Sequence, residues 1–328
     1  GQIITQTAGL ASGSVFPIGT TLNTFVVTDA SGNTATCSFN VTVNDTQLPT
    51  ITCNAPITVS NDAGVCGAVV TYTNTSTDNC PGQVITQIAG LASGSVFPIG
   101  TTTNTFVVTD ASGNTATCSF NVTVNDTQAP TITCNAPITV NNDLNSCGAV
   151  VTYTNTSTDN CPGQVITQTA GLASGSVFPI GTTTNTFVVT DASGNTATCS
   201  FNVTVNDTEL PTITCNAPIT VSNDAGVCGA VVTYTNTSTD NCPGQVITQT
   251  AGLASGSVFP IGVTTNTFVV TDASGNTATC SFTVTVNDTQ APTIGNAGAN
   301  ATIECTATPS FTAPTASDAC NTYTVQQV

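Results

Sequence analysis

The sequence predicts an all-β protein made of tandem β-sandwich domains. Short segments rich in Thr and Val alternate apolar and polar residues, and Gly, Pro, Asn and Asp separate them, as between paired strands. The same segments also return at a fixed interval of 81 residues. The ten residues TDASGNTATC, for example, occur unchanged at 28–37, 109–118, 190–199 and 271–280. We therefore expect one small domain per repeat and an extended rod of such domains.

The repeat boundaries follow from equivalent residues. Full repeats occupy 46–126, 127–207 and 208–288, and the first and third of these differ at only four positions. Residues 1–45 match the second half of a repeat, and residues 289–328 resemble the first half of a diverged one. The chain thus starts and stops inside a domain. We expect a window from a longer chain, and the alternative is that the two ends complete one domain between neighbouring molecules.

The second half of a repeat has the clearest strand pattern. In TATCSFNVTV (115–124), apolar residues at every second position predict a half-buried strand with Cys118 facing inward. TNTFVVTD (103–110) predicts the strand before it, and DASGN supplies the turn between them.

The first half of a repeat contains shorter strands. The segment 50–59 predicts a strand interrupted at Asn54-Ala55-Pro56, where proline suits an edge or a bulge. GAVVTYT (67–73) and QVITQ (83–87) predict two more strands, and we expect Phe97 to fill the core. No stretch has helical periodicity. About seven short strands per repeat are typical of an Ig-like β-sandwich.

The composition excludes several classes of function. The chain has 17 acidic residues, no Lys, Arg or His, and a net charge of −17. Binding to nucleic acid or to an anionic membrane surface needs cationic side chains, so we expect neither, and no membrane insertion. Without His or Lys there is no ordinary general base near neutral pH, so we expect no enzyme and no catalytic residue.

The 15 cysteines are regularly placed, four in each full repeat. They include no CxxC pair, which disfavours a zinc ribbon and favours disulfides in a secreted, cell-surface protein. Four cysteines allow three pairings, and spacing does not choose among them. The sequence has no signal peptide, initiator Met or membrane-spanning apolar run, and we expect a mature or internal fragment.

Several motifs resemble the hyalin repeat (HYR) family: PTITCNAPITV, STDNCPG and SVFPIGTTTNTFVVTDASGNTATCSFNVTV. The resemblance covers the three full repeats and both partial ones. It implies an Ig-like extracellular module that is used in tandem for adhesion or matrix. Near-identical arrays of this kind are similar to surface adhesins of gliding or biofilm-forming Bacteroidetes.

The resemblance also implies a disulfide pairing. Family members with two cysteines keep those that match Cys53 and Cys118, which implies a Cys53–Cys118 bridge and leaves Cys66 to pair with Cys80. The corresponding expected pairs in the later repeats are Cys134–Cys199, Cys147–Cys161, Cys215–Cys280 and Cys228–Cys242. The Ig-like topology supports an alternative, because it places Cys80 near Cys118 and Cys66 at the opposite end. In that alternative Cys80 pairs with Cys118, and Cys66 reaches a neighbouring domain.

The acidic residues suggest a calcium site between repeats. An Ig-like topology brings Asp62 and Asp126 of one repeat towards Asp159 and Asp191 of the next. The corresponding set at the following joint is Asp143, Asp207, Asp240 and Asp272. Clustered carboxylates repel unless they are hydrated or bridged, and calcium takes such ligands. The alternative is that these residues only form solvated Asx turns.

The function predicted from these observations is structural. We expect a stiff, disulfide-stapled filament at the cell surface that self-associates. The alternative is the stalk of an adhesin whose binding head lies outside this sequence. Any surface or glycan ligand is then expected to bind those outside regions.

Overall fold

A computed structural model describes residues 1–296, 298–320 and 324–326, and every regular element in these ranges is a β-strand. Within the described residues, the structure contains no helix that is long and apolar enough to cross a membrane. The chain divides into two compact units, each described by itself. The first comprises Gly1–Thr133, Thr156–Thr167 and Val188–Thr198, and the second Cys134–Asn155, Gln168–Phe187 and Cys199–Val328.

The half repeat at the start of the chain forms one antiparallel sheet in the order β1-β2-β3. Its strands are β1 (Ile3–Ala8), β2 (Gly19–Thr28) and β3 (Thr34–Val43). Apolar side chains that are buried in the full repeats are more exposed to solvent on this sheet. Phe39 is 53% exposed, whereas its equivalent Phe120 is 4% exposed.

The first full repeat is a sandwich of eight short strands. They are β4 (Thr50–Thr52), β5 (Ile57–Ser60), β6 (Gly67–Val70), β7 (Thr75–Thr77), β8 (Val84–Ala89), β9 (Ser95–Pro98), β10 (Gly100–Thr109) and β11 (Thr115–Asn125). One layer is a four-stranded sheet in the order β5-β11-β10-β8, and the pairs β4–β7 and β6–β9 complete the fold. Strand β5 runs parallel to β11, with Ile57 opposite Val122, and the other pairs are antiparallel.

The other full repeats contain the corresponding strands. In 127–207 these are β12 (Thr131–Thr133), β13 (Ile138–Asn141), β14 (Gly148–Val151), β15 (Thr156–Thr158), β16 (Val165–Ala170), β17 (Ser176–Pro179), β18 (Gly181–Thr190) and β19 (Thr196–Asn206). In 208–288 they are β20 (Thr212–Thr214), β21 (Ile219–Ser222), β22 (Gly229–Val231), β23 (Thr237–Thr239), β24 (Val246–Ala251), β25 (Val258–Pro260), β26 (Gly262–Thr271) and β27 (Thr277–Asn287). The described part of the tail has β28 (Thr293–Ile294) and β29 (Ala316–Ser317).

The core of each repeat is small and aromatic. In 46–126 the ring of Tyr72 contacts Phe97, Phe106 and Phe120 edge-on, at centroid distances of 6.4, 5.8 and 5.0 Å. Edge-to-face contacts of this kind add stabilisation beyond the apolar area that they bury. The Tyr72 hydroxyl donates to the backbone carbonyl of Leu91, so its polar end is also satisfied.

The predicted strand at 115–124 is confirmed by β11. Phe120, Val122 and Val124 are buried, Cys118 is half-buried, and the intervening Thr117, Ser119 and Asn121 are exposed. Phe97 is fully buried, as predicted. The sequence did not reveal β7 and β9, since their three or four residues are too few to display an alternation.

A glycine and a buried asparagine shape the bulge between β8 and β10. Gly90 has a φ of +91°, and a Cβ added there would lie 2.1 Å from the Oδ1 atom of Asn104. This atom accepts hydrogen bonds from the Leu91 amide at 2.8 Å and from the Gln87 side chain at 3.3 Å. The register of β8 and β10 shifts beside it, so only glycine fits this position.

Replacing Phe97 with alanine should destabilise one repeat by about 3–5 kcal/mol, because a fully buried aromatic side chain leaves a cavity. Scanning calorimetry of the full chain should then show a separate, earlier transition for that repeat. The neighbouring Val96 is 51% exposed, so Val96→Ala is the matched control and should change stability by less than about 0.5 kcal/mol. Equal effects of the two substitutions would contradict this assignment of the core.

Candidate functional site: the joint between repeats

Each joint begins where the last strand of a repeat ends beside the turn after β5. In the first unit, the Asn61 amide donates to the Asn125 carbonyl at 2.9 Å, and the Asn61 Oδ1 atom accepts from the Thr127 amide at 3.0 Å. The side chain of Gln128 then accepts from the Gly64 amide at 2.8 Å. The linker is therefore held against the repeat that it leaves.

The second joint is built in the same way with different residues. Asn145 takes the place of Gly64 and keeps a positive φ of 56°, a conformation that asparagine tolerates. Its amide donates to the carboxylate of Glu209 at 2.9 Å, and the Thr208 amide donates to the Asn142 Oδ1 atom at 3.0 Å.

The loop DASGN of the following repeat docks on the last aspartate of the preceding one. The Asn195 side chain donates to the Asp126 carbonyl at 3.2 Å, and the Ser193 hydroxyl donates to the Asp126 carboxylate at 3.4 Å. The equivalent contacts at the second joint run from Asn276 and Ser274 to Asp207, both at 3.2 Å. This segment is copied unchanged in the sequence, and its polar side chains contact the neighbouring repeat.

Asp191 holds the shape of this docking loop. One carboxylate oxygen accepts from the amides of Ser193 and Asn195, and the other accepts from the Asn195 side chain at 2.8 Å. Burial alone would raise the pKa of Asp191, but these hydrogen bonds outweigh it and lower the pKa below its ordinary value of 3.8. A lowered pKa stabilises the fold above the unfolded value, and that contribution is lost as the pH falls through the folded value. The loop is thus fully stabilised at neutral pH and weakens only in acid.

Two kinds of disulfide are present. Three bonds lie within a repeat and join its first part to its last strand, namely Cys53–Cys118, Cys134–Cys199 and Cys215–Cys280. Two bonds cross the joints, namely Cys66–Cys161 and Cys147–Cys242, with Cα–Cα distances of 4.8 and 4.9 Å. Each crossing bond joins the turn after the parallel strand of one repeat to the TDNC segment of the next.

The crossing bonds correct the expected pairing of the second cysteine. Cys66 is joined to Cys161 rather than to Cys80, and Cys147 is joined to Cys242 rather than to Cys161. The expected Cys228–Cys242 pair is excluded in the same way. Of the alternative, the Cys80–Cys118 pair is excluded because Cys118 is bonded to Cys53, whereas a bond from Cys66 to a neighbouring domain is confirmed. The physical reason is position along the repeat. Cys66 lies in the turn beside the end of the last strand, whereas Cys80 lies near Asp45, where the repeat begins.

Among the described residues, Cys37, Cys80, Cys228, Cys305 and Cys320 carry no disulfide. The pKa of the Cys80 thiol is raised by burial and by the nearby carboxylates of Asp45, Asp78 and Asp110. Cys80 occupies the position of Cys161 in the preceding joint, so its surroundings are those of a crossing disulfide.

Carboxylates gather at both joints. Asp126, Asp159 and Cys161 offer ligand atoms within 4.8 Å of one another, as do Asp207, Asp240 and Asp272. Cys161 is oxidised in its disulfide, so Asp126 and Asp159 are the charged members of the first group. The Oδ1 atoms of Asp159 and Asp240 are buried and accept no hydrogen bond. Carboxylate and amide oxygens of this kind are the ligands that calcium takes, so the residues at the joints fit that ion.

The expected four-carboxylate set is not assembled in full. Asp62 and Asp143 do not join the groups, since their carboxylates accept the amides of Val69 and Val150 at 2.8 Å and close their own turns. Asp191 contacts the first group only through Ser193 and Asn195, whereas its equivalent Asp272 belongs to the second group directly.

The fold and the joints define a class of protein, an array of tandem β-sandwich repeats joined by disulfides. The chain belongs to the HYR domain family, whose model matches residues 1–43, 44–124, 125–205 and 206–286. The segments that match the three full repeats each begin and end two residues before the corresponding repeat as defined from the sequence.

Curated relatives include hyalin from two organisms. The chain is 37% identical to hyalin of Strongylocentrotus purpuratus over 307 residues, which is 89% of this chain and 25% of that protein. It is 35% identical to hyalin of Lytechinus variegatus over 296 residues, which is 86% of this chain and 55% of that protein. A further relative is a serine-rich adhesin for platelets from Staphylococcus aureus, 34% identical over 147 residues, or 39% of this chain and 11% of that protein. The chain thus spans from about a quarter to about half of the hyalins that it matches.

Solved structures with a similar backbone fold include the extracellular domain of protocadherin gammaB4. That similarity has a TM-score of 0.33 at 14% identity and covers 89% of this chain and 60% of the other.

Peptide mapping without reduction tests the crossing bonds. A protease that cleaves before aspartate releases 143–158, in which Cys147 is the only cysteine. We expect this peptide to be linked to 240–271, because Cys147 is bonded to Cys242. Linkage to 159–190 would instead support the pairing within a repeat, and these two partners differ in sequence at Thr182 and Val263. In the control variant Cys242→Ser, peptide 143–158 should appear free.

Proposed function

We propose that this chain is a segment of an extracellular structural protein in which every repeat is attached to the next by both the main chain and a disulfide. The observation that carries this proposal is the Cys66–Cys161 bond, repeated as Cys147–Cys242. A bond within a repeat stabilises only that repeat. A bond that crosses a joint instead restrains the two domains that meet there.

The joint also has a second restraint, on another segment of the following repeat. Cys161 holds its TDNC segment, and the DASGN loop is held by the contacts of Ser193 and Asn195 with Asp126. Two attachments at separate places, added to the linker, oppose both bending and twisting of the joint. The proposed product is a stiff rod, and equivalent joints give it a similar stiffness along its length.

An extracellular location agrees with the disulfides, which persist in oxidising compartments. Hyalins and an adhesin among the relatives also support it. We expect no catalysis from these repeats, since the sequence has no Lys, Arg or His. Origin in the Bacteroidetes stays a prediction, because the relatives named above come from other organisms.

Self-association of the rods into filaments is supported by valines on the outer face of the β6–β9 pair. Val69 and Val96 lie opposite each other and are 54% and 51% exposed. Equivalent exposed pairs are Val150 with Val177 and Val231 with Val258. Exposed apolar patches that recur along a chain favour contact with a second chain.

Electron microscopy of the native material, unsheared and unreduced, tests the filament. We expect regular fibres with lateral order, which Val69→Ser, Val150→Ser and Val231→Ser together should disperse into single rods. The matched control replaces the exposed Thr73, Thr154 and Thr235 with serine and should leave the fibres intact. Single flexible strings from the unsubstituted protein would overturn the filament proposal.

The second candidate function is the stalk of an adhesin. The similarity to the serine-rich adhesin for platelets favours it, and the chain covers only a small part of that protein. In this case the repeats space a binding head from the cell surface, and any surface or glycan ligand binds that head. Strings that end in a globular head in the same micrographs would support the stalk.

We also propose calcium as a ligand of the joints. The support is the unpartnered Oδ1 atoms of Asp159 and Asp240, which lie among other carboxylates in a chain without a cationic side chain. Calcium would neutralise carboxylates that otherwise repel one another, and it would stiffen the joint further.

Thermal melting with calcium and with a chelator tests this ligand. At a free concentration 100 times the dissociation constant, one bound ion adds about 2.7 kcal/mol of stability. We expect calcium to raise the melting temperature, and Asp240→Asn to reduce that rise. The control Asp143→Asn should keep the rise, because the Asp143 carboxylate closes its own turn outside the cluster. Identical melting with calcium and chelator would contradict calcium binding.

A further inference from the structure

The diverged tail retains contacts of a joint between repeats, although its sequence lacks much of a full repeat. TASDAC (315–320) in the tail matches TSTDNC (156–161), and Cys320 occupies the position of Cys161. The tail has no counterpart of Cys66. Its described residues nevertheless reproduce several contacts of the two complete joints.

The linker into the tail is anchored like the other linkers. The Thr289 amide donates to the Asn223 Oδ1 atom at 3.1 Å, and the Gly226 amide donates to the Gln290 side chain at 3.2 Å. These contacts reproduce those that Thr127 and Gln128 make at the first joint.

The first strand pair of the tail also has the arrangement found in the full repeats. Thr293 in β28 lies opposite Ser317 in β29, and its hydroxyl donates to the Ser317 carbonyl at 3.0 Å. Thr131 and Thr158 make the same pair in the repeat 127–207, at 3.2 Å. This pair brings the segment that follows it to the joint.

The segment ends with Cys320 beside Cys228. The Cys320 amide donates to the Asp318 carboxylate at 2.7 Å, as the Cys161 amide does to Asp159 at 3.0 Å. Asp288, Asp318 and Cys320 offer ligand atoms within 4.8 Å of one another, like Asp126, Asp159 and Cys161. The Cys228 thiol lies close to that of Cys320, and its influence, with burial and the charge of Asp288, raises the pKa of Cys320 to about 12.

We propose that Cys228 and Cys320 form a third crossing disulfide, which attaches the diverged tail to the last full repeat. Cys228 is the remaining equivalent of Cys66 and Cys147, both of which are bonded to the TDNC cysteine of the next repeat. The preserved anchors of the linker, the β28–β29 pair and the turn at Asp318 place the partners together.

The bond forms by exchange with a disulfide oxidant such as oxidised glutathione. The Cys228 thiolate attacks one sulfur of the oxidant and releases one glutathione thiol. The Cys320 sulfur, after losing its proton, then displaces the second glutathione. Two protein thiols are thereby oxidised to one disulfide, and one oxidised glutathione is reduced to two thiols.

The proposal gives the crossing bond a wider role than joining identical repeats. The tail has lost the cysteine pattern of a full repeat but keeps the one cysteine that a preceding repeat needs. The cysteine after β29 is thus a general attachment point, through which modules of different sequence are joined in one covalent series. The Cys228–Cys320 bond deepens the proposed function by extending it to the tail. The contacts that bring Cys320 beside Cys228 do not depend on that function.

A protease that cleaves after glutamate tests the bond directly. The chain has two glutamates, Glu209 and Glu304, so digestion yields 1–209, 210–304 and 305–328. Cys147–Cys242 spans the first cut, and Cys228–Cys320 would span the second. The full chain, folded with oxidised and reduced glutathione, is alkylated, digested in urea and separated without reductant.

The variant Cys305→Ser serves as the parent, because it removes the other cysteine of the last fragment. We expect its three fragments to stay together until they are reduced. Adding Cys320→Ser should release 305–328 completely and leave 1–209 joined to 210–304. Release of 305–328 from the Cys305→Ser parent without reduction would overturn the proposal. Separation of 1–209 from 210–304 would instead contradict the proposed function, so the two failures are distinguishable.

Discussion

The structure depends on how a chain with no cationic side chain accommodates 17 carboxylic acids. Salt bridges to side chains are excluded, so carboxylates must accept from amides and hydroxyls or remain hydrated. The aspartates in turns accept hydrogen bonds from such donors. Asp191 is surrounded by the donors of Ser193 and Asn195, and Asp62 accepts from the Val69 amide. Hydrogen bonds from neutral donors thus set the conformation of the loops that meet at each joint, and disulfides add the covalent restraint.

This constraint explains the fidelity of the repeats. A joint is formed by segments from distant parts of two repeats: the turn near Asn61, the linker at Gln128 and the loop that contains Asn195. A change in one segment must be matched in its partner. The second joint provides an example, because Asn145 of one repeat replaces glycine and Glu209 of the next replaces glutamine, at positions that contact each other. Copying the repeat unchanged keeps all these contacts compatible.

The sequence predicted the fold well and the joint in part. Alternation over ten residues made β11 predictable, and the isolated Phe97 had to be buried in so small a domain. The preferred Cys66–Cys80 pairing was wrong because four cysteines per repeat suggest bonds within the repeat. The actual partner depends on which end of the sandwich each cysteine occupies, as in the alternative that sent Cys66 to a neighbouring domain. The aspartates were also indistinguishable in sequence. Whether a carboxylate closes its own turn, as Asp62 does, or faces the next repeat, as Asp126 does, depends on backbone donors that only the folded chain displays.

The parallel pairing of β5 with β11 has a mechanical consequence. Without a cross-link, pulling such a domain from its ends would load two adjacent parallel strands in shear, with all their hydrogen bonds strained together. Cys53 precedes β5 and is bonded to Cys118 within β11. Tension that enters at Cys53 therefore passes through the bond to Cys118, and residues 54–117 stay enclosed by it and cannot lengthen the chain. Such a domain bears tension through a covalent path, and the hydrogen bonds between β5 and β11 are spared the load.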